Sequence, residues 1–214
     1  GVQDGKGPSL AALYAVKSLL DDGLQFTKRI RFIFGTDEET LWRCMNRYNQ
    51  IEEQADLGFA PDSSFPLTYA EKGLLQVKLH GPGWDDLPLQ AGQALNVVPD
   101  KATYAGHRLE ELLPVLDQSG VQYSQTENSV TVLGVSKHSK DAAEGVNAIV
   151  GLAESLSLIQ PHPALLFIAD AVGEDATGEA LFGRITDEPS GDLSFNLATL
   201  MIDQEQSEIG IDIR

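Results

Sequence analysis

Arg29-Ile30-Arg31-Phe32-Ile33-Phe34-Gly35, followed at once by Thr36-Asp37-Glu38-Glu39-Thr40, decides how this chain is read. Its β-branched and aromatic residues at period 2, closed by Gly35, read as a strand running out into a turn. In α/β proteins, ligands and catalytic groups gather at the carboxyl ends of such strands. Two adjacent carboxylates there can divide two tasks, one holding a metal and one moving a proton. Taken alone, Glu38-Glu39 also fits a solvated acidic turn.

The neighbouring segments extend the pattern. Pro8 opens a helix that runs to Leu20, with Leu10, Leu13, Tyr14 and Leu20 at helical spacing, and Asp21-Asp22-Gly23 stops it. A second helix is expected over 41–53, then a short segment, Leu57-Gly58-Phe59-Ala60, ending at Pro61-Asp62-Ser63-Ser64. Helix, strand, helix and strand in succession imply an α/β fold with a mostly parallel sheet over residues 1–72. From Gly73 the texture changes. Leu74-Leu75-Gln76-Val77-Lys78-Leu79-His80 alternates as a half-buried strand. Further strands are expected near 94–98, 122–123, 129–133, 193–202 and 208–214. Helices are expected at 109–118, despite Pro114, and at 143–158. That order describes an α+β sandwich over 73–214, with helices on one face of an antiparallel sheet.

Composition sets the bounds. A chain of 214 residues holds one large domain or two modest ones. Its net charge of −17 argues against nucleic acid and anionic membranes as partners. The single cysteine, Cys44, excludes an intramolecular disulfide, suits a reducing compartment, and reads as a structural thiol in the second helix. No apolar run is long enough to span a bilayer and no signal peptide is visible, so cytoplasm is the expected location. The chain opens without Met at Gly1-Val2-Gln3-Asp4 and stops at Ile209-Gly210-Ile211-Asp212-Ile213-Arg214, inside a strand-like alternation. A segment of a longer protein is therefore expected.

Asp4, before Gly5-Lys6-Gly7-Pro8, joins Glu38, Glu39 and Asp62 as acidic residues that close strand ends. In a parallel sheet such ends share one edge, so the four carboxylates can converge. Crowded carboxylates repel and would hold protons. A pair of divalent ions resolves that repulsion, and two-metal hydrolases hold their ions roughly 3.5–4 Å apart. Zinc accepts carboxylate oxygen as well as imidazole.

Gln3-Asp4-Gly5-Lys6-Gly7-Pro8, Gly35-Thr36-Asp37-Glu38-Glu39-Thr40 and Ala60-Pro61-Asp62 resemble, in order and spacing, three motifs of the di-zinc metallopeptidases that include aminoacylase, carnosinase and carboxypeptidase G. Gly58-Phe59-Ala60-Pro61-Asp62-Ser63-Ser64-Phe65-Pro66, followed by Ala70-Glu71-Lys72-Gly73, looks most like the bacterial dipeptidase V (PepV) branch. The resemblance implies two zinc ions per complete site, bridged by Asp4, with Glu39 and Asp62 as terminal ligands and Glu38 as general base. Gly5 departs from that branch, which usually carries a second Asp there. Residues 73–214 look like the lid domain inserted into the family's catalytic domain, incomplete at its C-terminal end. Gly134-Val135-Ser136-Lys137-His138-Ser139, followed by Glu144-Gly145-Val146-Asn147-Ala148, resembles the lid motif whose histidine reaches the substrate carbonyl oxygen. Asn96 matches a lid residue that faces substrate, and Arg214 the arginine that binds the substrate's free carboxylate.

The implied activity is zinc-dependent hydrolysis of dipeptides or short peptides. The family also uses two zinc-ligand histidines, one before the position of Asp4 and one beyond the lid, and neither is in these residues. The expectation is an active whole protein and an inactive isolated chain. The alternative is a non-catalytic lid and scaffold, or a degenerate homologue acting as a binding module. His80, His107 and His162 gain no role from the resemblance, and His162 reads as a loop residue between prolines. No Asp-x-Asp-x-Asp-Gly calcium loop is present.

Overall fold

The computed structural model describes residues 5–37, 42–62 and 66–214. The chain divides into two compact units, Gly1–Tyr69 and Ala70–Arg214, against an expected boundary at 72/73.

In the first unit, helix α1 spans Gly7–Asp21 and starts on Pro8, whose missing N–H falls where the helix has no use for a donor. Helix α2 spans Arg43–Ile51. Its start is held by Asp37, whose Oδ2 accepts from the Arg43 backbone N–H at 3.0 Å and from Arg43 Nε at 2.7 Å. Asp37 thus anchors a helix. Cys44 is half-buried on that helix.

The parallel sheet expected here is absent from the described residues, which hold no strand before Leu75. The stretch 29–34 carries the side-chain pattern of a strand without a ladder partner, and strands draw their stability from such pairing. Arg31 is held instead by Tyr48, 2.5 Å from the phenol oxygen. No described residue of this unit is buried, and Leu10, Tyr14 and Phe34 are exposed at 54%, 64% and 69%. Hydrophobic burial, the main driving term of folding, is therefore slight within it.

The second unit contains the core. Strands β1 (Leu75–Pro82), β2 (Leu89–Ala91), β8 (Phe195–Ile202) and β9 (Gln206–Ile213) form an antiparallel sheet in the order β1-β9-β8-β2. A second antiparallel sheet, in the order β3-β5-β4, joins β3 (Lys101–Tyr104), β4 (Tyr123–Gln125) and β5 (Val130–Leu133). Strands β6 (Thr186–Asp187) and β7 (Gly191–Asp192) make a small hairpin. The helices are α3 (Leu109–Ser119), α4 (Ala148–Ser157), α5 (Pro163–Leu166) and α6 (Glu179–Phe182). Helix α4 packs against β3, β5 and β8 and so joins the two sheets. Its Leu152 and Leu156 are buried together with Leu112 and Leu116 of α3. That burial outweighs the backbone hydrogen bond Pro114 forfeits inside α3.

Central β8 is buried along nearly its whole length, whereas edge strand β1 is mostly exposed. The β8–β9 turn closes on Asp203, whose Oδ1 accepts from the backbone N–H groups of Glu205 and Gln206, both at 2.8 Å. The strand expected over 94–98 reduces to one bridge, Val97 with His138. The helix expected over 143–158 divides at Gly145–Asn147 into a 3₁₀ segment, Ser139–Glu144, and α4. Asn147 makes that division: its side-chain oxygen caps α4 by accepting from Ile149 N (3.0 Å) and Val150 N (3.4 Å). Its Nδ2 donates to Leu197 O at 2.6 Å, tying the helix start to β8. Strands β2 and β3, and helices α5 and α6, are too short for periodicity to announce them.

Candidate functional site

The expected site residues separate by unit. Asp4, Glu38 and Glu39 lie outside the described residues. Asp62 lies on an exposed loop of the first unit. Among the described residues, no three His, Cys, Asp or Glu side chains are grouped so as to hold a metal ion. Asn96, His138 and Arg214 belong to the second unit, and hydrogen bonds tie Arg214, together with Leu95 and Val97 beside Asn96 and Ser139 beside His138, to one short stretch, Ser194–Asn196.

His138 and Asn96 come together first. Val97 and His138 form the antiparallel bridge, with Val98 N–H donating to Lys137 O at 2.8 Å and Ser139 N–H to Asn96 O at 2.9 Å. The neighbouring Val135–Val146 bridge needs close approach at Gly134, where a Cβ would lie 2.1 Å from Val146 O. His138 has extended backbone (φ −66°, ψ 144°) and starts the 3₁₀ segment. Its Nδ1 accepts from the Lys140 backbone N–H at 3.2 Å. In the neutral ring the proton is therefore assigned to Nε2, which makes an exposed imidazole an N–H donor. The exposed Asn96 side chain makes no hydrogen bond to the described residues.

Beneath this pair runs the start of β8. Asn196, 1% exposed, donates through Nδ2 to Leu95 O and Val97 O, both at 3.0 Å, and so holds the backbone on either side of Asn96. The buried Ser194 donates its hydroxyl to Ser139 O. Its backbone exchanges both hydrogen bonds with Arg214, each at 2.8 Å. Asn196 Oδ1 and Ser139 Oγ are buried with no partner among the described residues.

Arg214 is oriented by Asp212, two residues earlier on the same face of the strand. Nε lies 2.8 Å from Asp212 Oδ1 and Nη2 lies 3.4 Å from Oδ2. Asp212 is fully buried, and its Oδ2 also accepts from Gln76 Nε2 at 3.0 Å. The pair engages one side of the guanidinium and leaves Nη1 and the outer Nη2 hydrogen for a ligand. A planar fork presenting two parallel N–H groups suits a carboxylate.

Sequence reasoning missed Ser194, Asn196, Asp212 and Gln76. Asp212 carried a local signal, an acid at strand spacing from Arg214. Ser194 and Asn196 carried none, because their partners lie 55, 99 and 101 residues away. His162 belongs elsewhere and is not a loop spectator. It is 1% exposed and caps α5 through Nδ1, which accepts from Ala164 N at 3.1 Å. Its Nε2 donates to Pro82 O at 3.1 Å, and burial holds its pKa below the usual value. A cavity of about 650 Å³ lies near α4, lined in part by Val98, Val150 and Asn196. No expected site residue lines it. No helix among the described residues is long and apolar enough to cross a membrane.

No family model matches the chain. It is similar over its whole length to curated bacterial proteins. They include "Putative dipeptidase YtjP" of Bacillus subtilis (strain 168) at 36% identity, "Putative dipeptidase MW1694" of Staphylococcus aureus (strain MW2) at 34%, and "Putative dipeptidase SH1171" of Staphylococcus haemolyticus (strain JCSC1435) at 33%. The chain spans about half the length of these relatives, 51% of each.

Proposed function

We propose that the whole protein is a zinc-dependent dipeptidase of the di-zinc metallopeptidase family. In this reading residues 73–214 are its lid and residues 1–72 are part of a catalytic domain built on a parallel sheet. The observation that carries the reading is the gathering of Asn96, His138 and Arg214 around the first residues of β8. An exposed imidazole whose Nδ1 is already engaged, leaving Nε2 as the donor, and a guanidinium whose free edge suits a carboxylate, are what recognition of a short peptide requires. The names of the relatives agree with peptide hydrolysis.

Arg214 takes the substrate's free carboxylate, and Asn96 contributes a polar contact on the same wall. His138 donates from Nε2 toward the scissile carbonyl oxygen as negative charge develops there, where a preorganised donor is worth most. Glu38 receives the proton of the attacking water and delivers it to the leaving amine. Asp4, Glu39 and Asp62 are the carboxylates that would hold the zinc ions, which when bound supply the Lewis acidity that activates water near neutral pH.

The test is zinc-supplemented hydrolysis of a small dipeptide panel by the full-length protein and its Glu38→Gln and His138→Ala variants. Each dipeptide is also offered with its carboxyl group amidated. Expected are turnover by the parent, losses of at least about 100-fold in both variants, and discrimination against the amides that Arg214→Ala abolishes. A full-length protein that turns over no dipeptide overturns the reading in favour of a non-catalytic binding module.

A further inference from the structure

Resting on the dipeptidase reading, we infer that Ser194 is a positioning residue that fixes the spacing between the carbonyl-oxygen donor, His138, and the carboxylate anchor, Arg214. Ser194 is bonded to Arg214 and to Ser139, the residue that follows His138. Its hydroxyl donates to Ser139 O, the carbonyl of the residue after His138, and its N–H and C=O pair with Arg214 at 2.8 Å each. Two residues on, Asn196 repeats the arrangement by gripping Leu95 O and Val97 O around Asn96. Ser194 directly precedes the most buried strand of the sheet and Asn196 lies on it, so the stretch is a rigid reference for the Asn96 and His138 segments.

In a dipeptide the scissile carbonyl and the terminal carboxylate are separated by one residue of fixed covalent length. A site that holds donor and anchor at one spacing therefore selects α-amino acids at the carboxyl-terminal position. A β-amino acid, longer by one methylene, cannot satisfy both at once. The Ser194 hydroxyl sets that spacing, because without it the His138 turn and the Arg214 strand end lose their shared side-chain tie. Misplacement of reacting groups by about 1 Å can cost on the order of 100-fold in rate.

The experiment uses the full-length protein and its Ser194→Ala, Ser194→Thr and His138→Ala variants, assayed on Ala-Ala and on Ala-β-Ala, with melting temperatures measured in parallel. For Ser194→Ala on Ala-Ala, kcat is expected to fall roughly 10–100-fold. KM should move by less than about threefold, since Arg214 keeps its Asp212 partner. The preference for Ala-Ala over Ala-β-Ala narrows, and Ser194→Thr restores most of it. A merely structural hydroxyl would lower turnover of both peptides equally in step with the melting temperature, and that result overturns the inference. Parent-like kinetics in Ser194→Ala would overturn it too. If Ser194→Ala folds poorly, Ser194→Cys carries the same comparison with a smaller change in volume. A parent that turns over neither peptide refutes the dipeptidase reading itself. An unimpaired His138→Ala variant refutes His138 as the carbonyl-oxygen donor and the ruler with it, and an impaired His138→Ala beside a normal Ser194→Ala refutes only the ruler.

Discussion

Replacing Arg214 with Ala strands Asp212, and the size of the penalty follows from burial. Asp212 is 0% exposed and Arg214 23%, so truncating the arginine leaves a carboxylate that solvent does not reach. Removing one partner of a buried ion pair costs about 3–5 kcal/mol. Gln76 Nε2 still donates to Oδ2, which puts the expected loss at the lower end, about 3 kcal/mol. For a chain of this size each kcal/mol moves the melting temperature by about 2–4 °C, so Arg214→Ala should melt roughly 6–12 °C lower. The companion variant is Asp212→Asn, which keeps shape and polarity without the charge. The double variant should sit within about 1.5 kcal/mol of the parent, giving a coupling energy of at least about 1.5 kcal/mol. Urea denaturation and thermal melts followed by circular dichroism measure all four corners of the cycle. An Arg214→Ala variant within about 0.5 kcal/mol of the parent refutes the buried-pair argument. So does a double variant as unstable as the single one. The cycle also separates two losses in any kinetic study, because only the double variant lacks the anchor without the stranded charge.

Further outcomes follow from other parts of the fold. Burial depresses the His162 pKa below its ordinary 6.5, so the folded state binds fewer protons than the unfolded one. Stability from this residue is complete above pH 6.5 and is lost as pH falls through the folded value, and a His162→Gln variant should flatten that acid limb in melts from pH 8 to 5. Asn147→Ala removes the α4 cap and the bond to Leu197 O, and should cost about 2–3 kcal/mol in urea titrations, while Asn147→Ser, which keeps a cap, should cost about 1. Burial first, and then the neighbouring Glu174 charge, raise the Glu154 pKa, so its ionised form opposes folding at neutral pH. Glu154→Gln should therefore raise the melting temperature at pH 7, with the gain vanishing at pH values where the carboxyl is protonated.

Much of the second unit was legible in local pattern. Alternation at 74–80, 129–133, 193–202 and 208–214 predicted β1, β5, β8 and β9, and helical spacing predicted α3. Short elements escaped because three or four residues carry no period, and Asn147 divided a run that reads as one helix. The strand pattern at 29–34 shows the opposite failure: side-chain alternation reports a preference, and a sheet requires a partner. Of the candidate site, Asn96, His138 and Arg214 were proposed from the motifs around them, and Asp4, Glu38 and Glu39 lie outside the described residues.

By itself, then, the sequence determined which segments of 73–214 alternate, where α1 and α3 run, and which polar residues merit attention. Tertiary structure alone decided that Ser194 and Asn196 hold Arg214 and the backbone beside Asn96 and His138, and that Asp212 orients the guanidinium. The reason is physical: periodicity is written within a few residues, whereas hydrogen bonds across 55 to 101 residues exist only once sheet register is set.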